Sequence, residues 1–382
     1  MCEQRFGFRV QEYGLREVFR RIPDHPALAG LDEDLLKNWR GEATNTAPRL
    51  TYEERPYPLI FPTIVNAGVV VTRPWRCGNR GNVASALIEK PACGDFMSLV
   101  DGGYSLQYSP LMEYREGKGV VLFCQMDVTG RTERDPAADR LARNILAYVH
   151  AFKPTARRSL VYAGDPAGLK HLQSAGFAVE PYVKGALTGD RVLVVSSGGG
   201  AALAPDKAAI AAWLGQDGRM IALGLDADEA NTFMPIAVSM KSSEHIGSFF
   251  DHPPWNSPFA GIGPADVHNR EPRNFSLITG KANILGDGVL GFADNGRVIF
   301  CQMVPWQFST KQQNTRRTFR RTSALLTRVL GNLGVQSQTS LLERFSKPVT
   351  SIAGQSPEKP RMNAFYLDTL EEWDDPYRFF GW

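Results

Sequence analysis

Apolar residues gather in short unbroken runs, Val120–Phe123, Leu160–Ala163, Val192–Val195, Met220–Leu223 and Val298–Cys301, each set off by polar residues or glycine. Runs of this kind, without alternation, belong to strands covered on both faces, as in a parallel sheet. Helical patterns follow several of them: Asp135-Pro136 to about Phe152, Asp165-Pro166 to Ala175, and Pro205 to Leu214. Aspartate ahead of proline supplies an N-cap followed by a residue suited to the first helical position. Strands alternating with helices predict an α/β fold, a parallel sheet with helices on both faces and right-handed crossovers.

One strand is written twice. Gly119-Val-Val-Leu-Phe-Cys-Gln-Met126 returns as Gly296-Arg-Val-Ile-Phe-Cys-Gln-Met303, which predicts two tandem, related doubly wound units. The first spans 1–153 and reads as truncated, because the chain opens directly on Phe6-Gly7-Phe8-Arg9-Val10-Gln11. Between about residues 50 and 108 it alternates apolar and turn-forming residues, the pattern of added β-hairpins. The second, 154–335, reads as complete. Residues 336–382 then form a linker rich in proline and serine and a tail whose Trp373, Tyr377, Arg378, Phe379, Phe380 and Trp382 have the composition of an interface.

With 382 residues, two domains are expected. A net charge of +3 gives no reason to expect nucleic acid or an anionic membrane as partner. No apolar stretch approaches the roughly 18 residues of a membrane span, and residues 1–5 lack a signal-peptide core, so the chain is expected to be soluble. The five cysteines, Cys2, Cys77, Cys93, Cys124 and Cys301, are odd in number and lack Cys-x-x-Cys spacing, so no zinc ribbon or disulfide framework is indicated. Cys77 and Cys93 could still meet across a hairpin. No metal and no cofactor are expected.

Each candidate for chemistry has a plain structural alternative. Ser196-Ser197-Gly198-Gly199-Gly200 lies between a strand and a helix, so Ser197, Gly198 and Gly199, with Arg270, could hold an anion; without P-loop spacing the loop reads equally as a permissive turn. Class I glutamine-amidotransferase-like folds carry a cysteine nucleophile on a tight elbow, but Cys124 and Cys301 sit inside apolar strands, and the turn after Arg219–Leu223 reads Gly224-Leu225-Asp226, with no thiol. Asp266 and His268, beside Arg270, could act on or bind a sugar or carboxylate, or could lock a loop; His25 in Asp24-His25-Pro26 occupies a similar setting. Glu89, Asp95, Asp101, Glu113 and Asp127 are available as paired carboxylates for glycoside hydrolysis. Arg316, Arg317, Arg320 and Arg321 form a basic run with the spacing of a solvated face on an amphipathic helix.

Several stretches carry a resemblance: Trp75-Arg-Cys-Gly-Asn-Arg-Gly81, Leu87-Ile-Glu-Lys-Pro91, the two Phe-Cys-Gln-Met strands, Pro264-Ala-Asp-Val-His-Asn-Arg270 and Glu371-Glu-Trp-Asp-Asp-Pro-Tyr-Arg-Phe-Phe380. Together they resemble the C-terminal region of large bacterial glycoside hydrolase family 2, or β-galactosidase-like, proteins. That resemblance implies class I glutamine-amidotransferase-like, flavodoxin-like domains lying downstream of a catalytic barrel. None of that family's catalytic glutamate motifs can be placed in this chain. The expected role is therefore a non-catalytic accessory or assembly module of a glycosidase, its partner being the catalytic module or another copy of the chain. The alternatives are a free-standing hydrolase of β-galactosides, or a carbohydrate-binding module stacking sugar on Trp75 or Trp306.

Overall fold

The computed structural model describes residues 5–44, 64–66, 69–71, 80–346 and 365–368. Its first half is an antiparallel structure. In chain order the strands are β1 (Val10–Leu15), β2 (Phe19–Arg20), β3 (Trp39–Glu42), β4 (Ile64–Asn66), β5 (Val69–Val71), β6 (Arg80–Gly81), β7 (Ala84–Glu89), β8 (Phe96–Gly102), β9 (Tyr108–Glu116) and β10 (Gly119–Cys124). The main sheet runs β1-β7-β9-β8-β2, with β10 also paired to β9, and every pairing in it is antiparallel. β3 with β6 and β4 with β5 form two small ribbons. Every residue of β8 is buried, because both faces of the sheet are covered. Leu99, Val100 and Leu111 pack on one side with helix α1 (Pro136–Ala151), and Phe8, Phe96, Met112 and Phe365 pack on the other. Asp135 caps α1 as its sequence predicts, accepting from the amides of Ala137 at 2.9 Å and Ala138 at 3.3 Å.

The second half is the predicted parallel α/β structure. It comprises β11 (Ser159–Ala163), α2 (Pro166–Ser174), β12 (Val179–Pro181), β13 (Arg191–Ser196), α3 (Gly200–Leu203), α4 (Lys207–Gly215), β14 (Arg219–Leu223) and α5 (Ala227–Phe233), followed by a ribbon of β15 (Ser239–His245) and β16 (Arg273–Gly280). β17 (Asn283–Leu285), β18 (Leu290–Ala293), β19 (Val298–Cys301), α6 (Gln313–Asn332) and α7 (Leu341–Ser346) complete it. The sheet order is β12-β11-β13-β14-β19-β18-β17, the first five strands parallel. In order of appearance those five stand 2-1-3-4-5, the flavodoxin-like order of doubly wound sheets. Side chains alternate between two cores. Leu160, Val192, Ile221, Ile299 and Cys301 point to the face covered by α2 and α6, while Val161, Leu193, Met220 and Phe300 point to that covered by α3, α4 and α5.

Two expectations change here. The first Phe-Cys-Gln-Met strand, β10, is antiparallel in a meander, so the repeat reproduces a local strand end and not a second doubly wound unit. The two copies do share one detail, a cysteine thiol directed at the carbonyl two residues on: Cys124 to Met126 at 3.9 Å and Cys301 to Met303 at 3.3 Å. The basic face of α6 is not solvated either. Arg316, Arg317, Arg320 and Arg328 are buried, because α6 lies between the two halves, with Phe319, Leu326, Val329 and Leu330 on the parallel sheet. Arg320 pairs with Glu89 and Asp368, Arg328 meets Asp95 and the Phe96 carbonyl, each at 2.8 Å, and Thr327 donates to the Ala92 carbonyl at 2.7 Å. A buried guanidinium is tolerable only where carboxylates and carbonyls meet it; Glu89, Asp95 and Phe96 of the first half, Asp368, and the Thr310 and Lys311 carbonyls supply them.

Candidate functional site

In an open doubly wound sheet, ligands bind beyond the carboxyl ends of the strands where the order reverses. Here that place lies between β11 and β13, under the loops at Gly164-Asp165 and Ser196–Gly199. Tyr162, Asp165 and Ser196 form a closed knot: the Ser196 hydroxyl lies 2.6 Å from the Tyr162 hydroxyl and 3.1 Å from the Asp165 carboxylate, and accepts from the Asp165 amide at 3.2 Å. Asp165 also caps α2 through the Gly168 amide at 2.7 Å. Burial raises the Tyr162 hydroxyl to about 12. The loops approach so closely that only glycine fits at 164, where φ is +154° and a Cβ would stand 2.1 Å from the Ser196 oxygen.

Ser197 and Gly198 stand exposed at the loop tip, whereas Gly199 is buried beneath it. The anion expected at this loop meets an internal competitor, since the Glu229 carboxylate already accepts from the Gly200 amide at 2.9 Å. Gly198 has φ +85° with nothing within 4 Å of a Cβ, the behaviour of a permissive turn. Arg270 is exposed on another loop. After β14, Gly224 turns the chain at φ +62° and Asp226 caps α5 through the Glu229 amide at 2.8 Å.

The three described cysteines are free thiols. Burial pushes Cys93 and Cys301 up to about 12 and Cys124 to about 11, so none is a ready nucleophile near neutral pH. His171, buried beside Trp306 with ring centres 5.7 Å apart, is held by burial down at about 4. Trp306 itself is half-buried.

Asp266 is a lock. It is buried, accepts from the Gly263 amide at 2.8 Å and pairs with Arg21 of the first half. Arg21 also bonds Asp101 at 2.7 Å and the Gly261 carbonyl at 2.5 Å, and Asp101 holds Lys90 at 2.7 Å. Burial, with Arg21 close by, brings the Lys90 ammonium down to about 8. His268 is partly exposed, and its pKa is lowered by desolvation and by Arg321 and Arg270. His25 closes a turn of its own, accepting from the Ala27 amide at 3.1 Å, with its other nitrogen 3.5 Å from Glu113.

The structure accounts for the five carboxylates proposed for glycoside hydrolysis. Glu89, Asp95, Asp101, Glu113 and Asp127 are all buried; Glu113 meets Arg115 at 2.5 Å and the Tyr148 hydroxyl at 2.6 Å, and Asp127 accepts from Ser85 at 2.5 Å. All five lie inside the packing of the described residues. Sequence reasoning missed Arg21, Lys90 and Tyr162: the partners of Arg21 lie 80 and 245 positions away, while Lys90 and Tyr162 meet Asp101 and Asp165 close by in the chain, and for the two cations the signal was charge inside apolar surroundings. Among the described residues no group of three or more His, Cys, Asp or Glu could hold a metal, and no helix is long and apolar enough to cross a membrane. Cys2, Trp75, Cys77 and the tail residues Trp373 to Trp382 lie outside the described residues.

No family model and no curated protein sequence matches the chain. Two solved structures are similar. PurLQS from Thermotoga maritima is 12% identical, covering 47% of this chain and 100% of its own with TM-score 0.34. A GMP synthase component of Thermoplasma acidophilum is also 12% identical, covering 47% and 96% with TM-score 0.29. Both are amidotransferase-type folds. The expected resemblance to the C-terminal region of glycoside hydrolase family 2 proteins is thereby corrected, since no family model and no curated sequence bears it out. At such scores the likeness carries no argument about activity.

Proposed function

We propose that this chain is a non-catalytic assembly module, which works by holding a rigid two-sheet body against a neighbouring module or a second copy of itself. One observation carries the reading: the capable groups at the carboxyl ends of the parallel strands are engaged in internal contacts. At the strand ends, Asp165 and Ser196 bind each other and Glu229 fills the amide of the glycine loop. The described thiols are buried or half-buried and held in the protonated form. Large apolar side chains remain outside, among them Phe249 at 85% exposure and Leu146 at 72%.

Purified full chain is to be assayed for ammonia release from glutamine and for hydrolysis of aryl β-galactosides, with its mass measured by light scattering alone and with candidate partner modules. The expected result is no turnover above the Cys301→Ala variant and a mass larger than 42.2 kDa. Turnover that Cys301→Ala abolishes, or a chain that stays monomeric with every partner offered, would overturn the reading.

A further inference from the structure

A cleft of about 600 Å³ opens at the seam between the halves. Its walls are the turn from β9 to β10, the chain entering β11, and the segment joining α6 to α7. The volume falls within the usual range of small-molecule sites, which favour seams of this kind.

Charge gives the site its character. Arg115 enters from the first half, Arg157 from the second and Arg344 from α7, against the carboxylates Glu116 and Glu343. Glu116 is already engaged: it accepts from the Ser340 hydroxyl at 3.1 Å and from the amides of Leu341 at 2.8 Å and Leu342 at 3.2 Å. Arg344 reaches the Phe6 carbonyl at 3.1 Å and lies over the Phe365 ring. Arg115 is tied to Glu113 through its Nε at 2.5 Å. Arg157 is exposed at the rim, and a Cβ on Gly117 would stand 3.5 Å from its Nη2. The remaining wall, Gln336 to Ser340, is neutral and rich in hydroxyl and amide groups.

We propose that this cleft binds a small oxyanion, phosphorylated or polycarboxylated, between Arg115 and Arg157, with the side-chain amides of Gln336 and Gln338 completing its hydrogen bonds. Guanidinium groups favour phosphate and carboxylate because their donors match two oxygens at once. Bound there, the ligand ties a strand of the antiparallel sheet to the entry of the parallel one, and so stabilises the seam by mass action. This inference is independent of the assembly reading.

The test is thermal unfolding and calorimetric titration of the full chain with pyrophosphate and, separately, citrate, at constant ionic strength. A saturable rise in the unfolding midpoint with at least one of them, weakened about tenfold or more in affinity by Arg157→Gln and unchanged by Arg143→Gln on α1, supports the site. Pyrophosphate alone identifies a phosphorylated ligand, citrate alone a carboxylated one. Failure of both anions, or an equal response in Arg157→Gln, overturns the proposal, the latter showing only the general salting effect of such anions. Because Arg157 is exposed, the variant should fold as the parent does.

Discussion

Replacing Arg21 by methionine removes a guanidinium from the seam while keeping a side chain of similar length. Three contacts vanish: Asp101 at 2.7 Å, the Gly261 carbonyl at 2.5 Å and Asp266. Asp101 keeps Lys90 at 2.7 Å and Ser98 at 2.8 Å, whereas Asp266 is left with the Gly263 amide at 2.8 Å. Removing one partner of a buried pair costs about 3–5 kcal/mol, and the contacts retained by Asp101 place Arg21→Met near the lower figure. Asp266→Asn preserves the acceptor for Gly263 while discharging the site. In the double variant the second change should cost less than it does alone, giving a coupling of about 1.5 kcal/mol or more. Urea unfolding at pH 7, followed in parallel by tryptophan fluorescence and circular dichroism, measures all four corners, and coincidence of the probes licenses the free energies. Because the pair is buried, adding salt should change the coupling little. Additivity within about 0.5 kcal/mol would refute the idea that this pair joins the halves.

Two further outcomes follow from the same structure. Gly164→Ala drives a Cβ to 2.1 Å from the Ser196 hydroxyl and should lose about 2 kcal/mol or more; Gly185→Ala, at φ +78° with nothing within 4 Å, reports backbone strain alone, and equal costs would dismiss the close approach. Burial pushes the Glu113 carboxyl up, but His25, Arg115 and Tyr148 outweigh it and hold the group near 2 against a usual 4.5. Its folded value lies below its unfolded one, so its contribution is whole above about pH 4.5 and fades as the pH falls toward 2. Glu113→Gln should therefore flatten the stability profile across that window in acid titrations of urea unfolding, and an unchanged slope would remove Glu113 from the account.

Much of the parallel sheet was legible along the chain. Leu160–Ala163, Val192–Val195 and Met220–Leu223 are strands where their apolar runs lie, and Asp135-Pro136 and Asp165-Pro166 begin helices, because caps and unbroken apolar runs are local signals. Val120–Phe123 shows the limit. It too is a strand, but a run of apolar residues says only that a strand is covered, and its direction depends on which distant segment pairs with it. The arginines of α6 show the same limit for charge. Helical spacing set them on one face; only the fold brought Glu89, Asp95 and Asp368 against that face and turned a surface into an interior. The sequence by itself determined the strands of the long apolar runs and the capped helix starts, since those preferences act over a few neighbours. Tertiary structure alone decided strand direction, the seam and the fate of each charge, because these depend on electrostatic and packing contacts between residues such as Arg21 and Asp266, hundreds of positions apart.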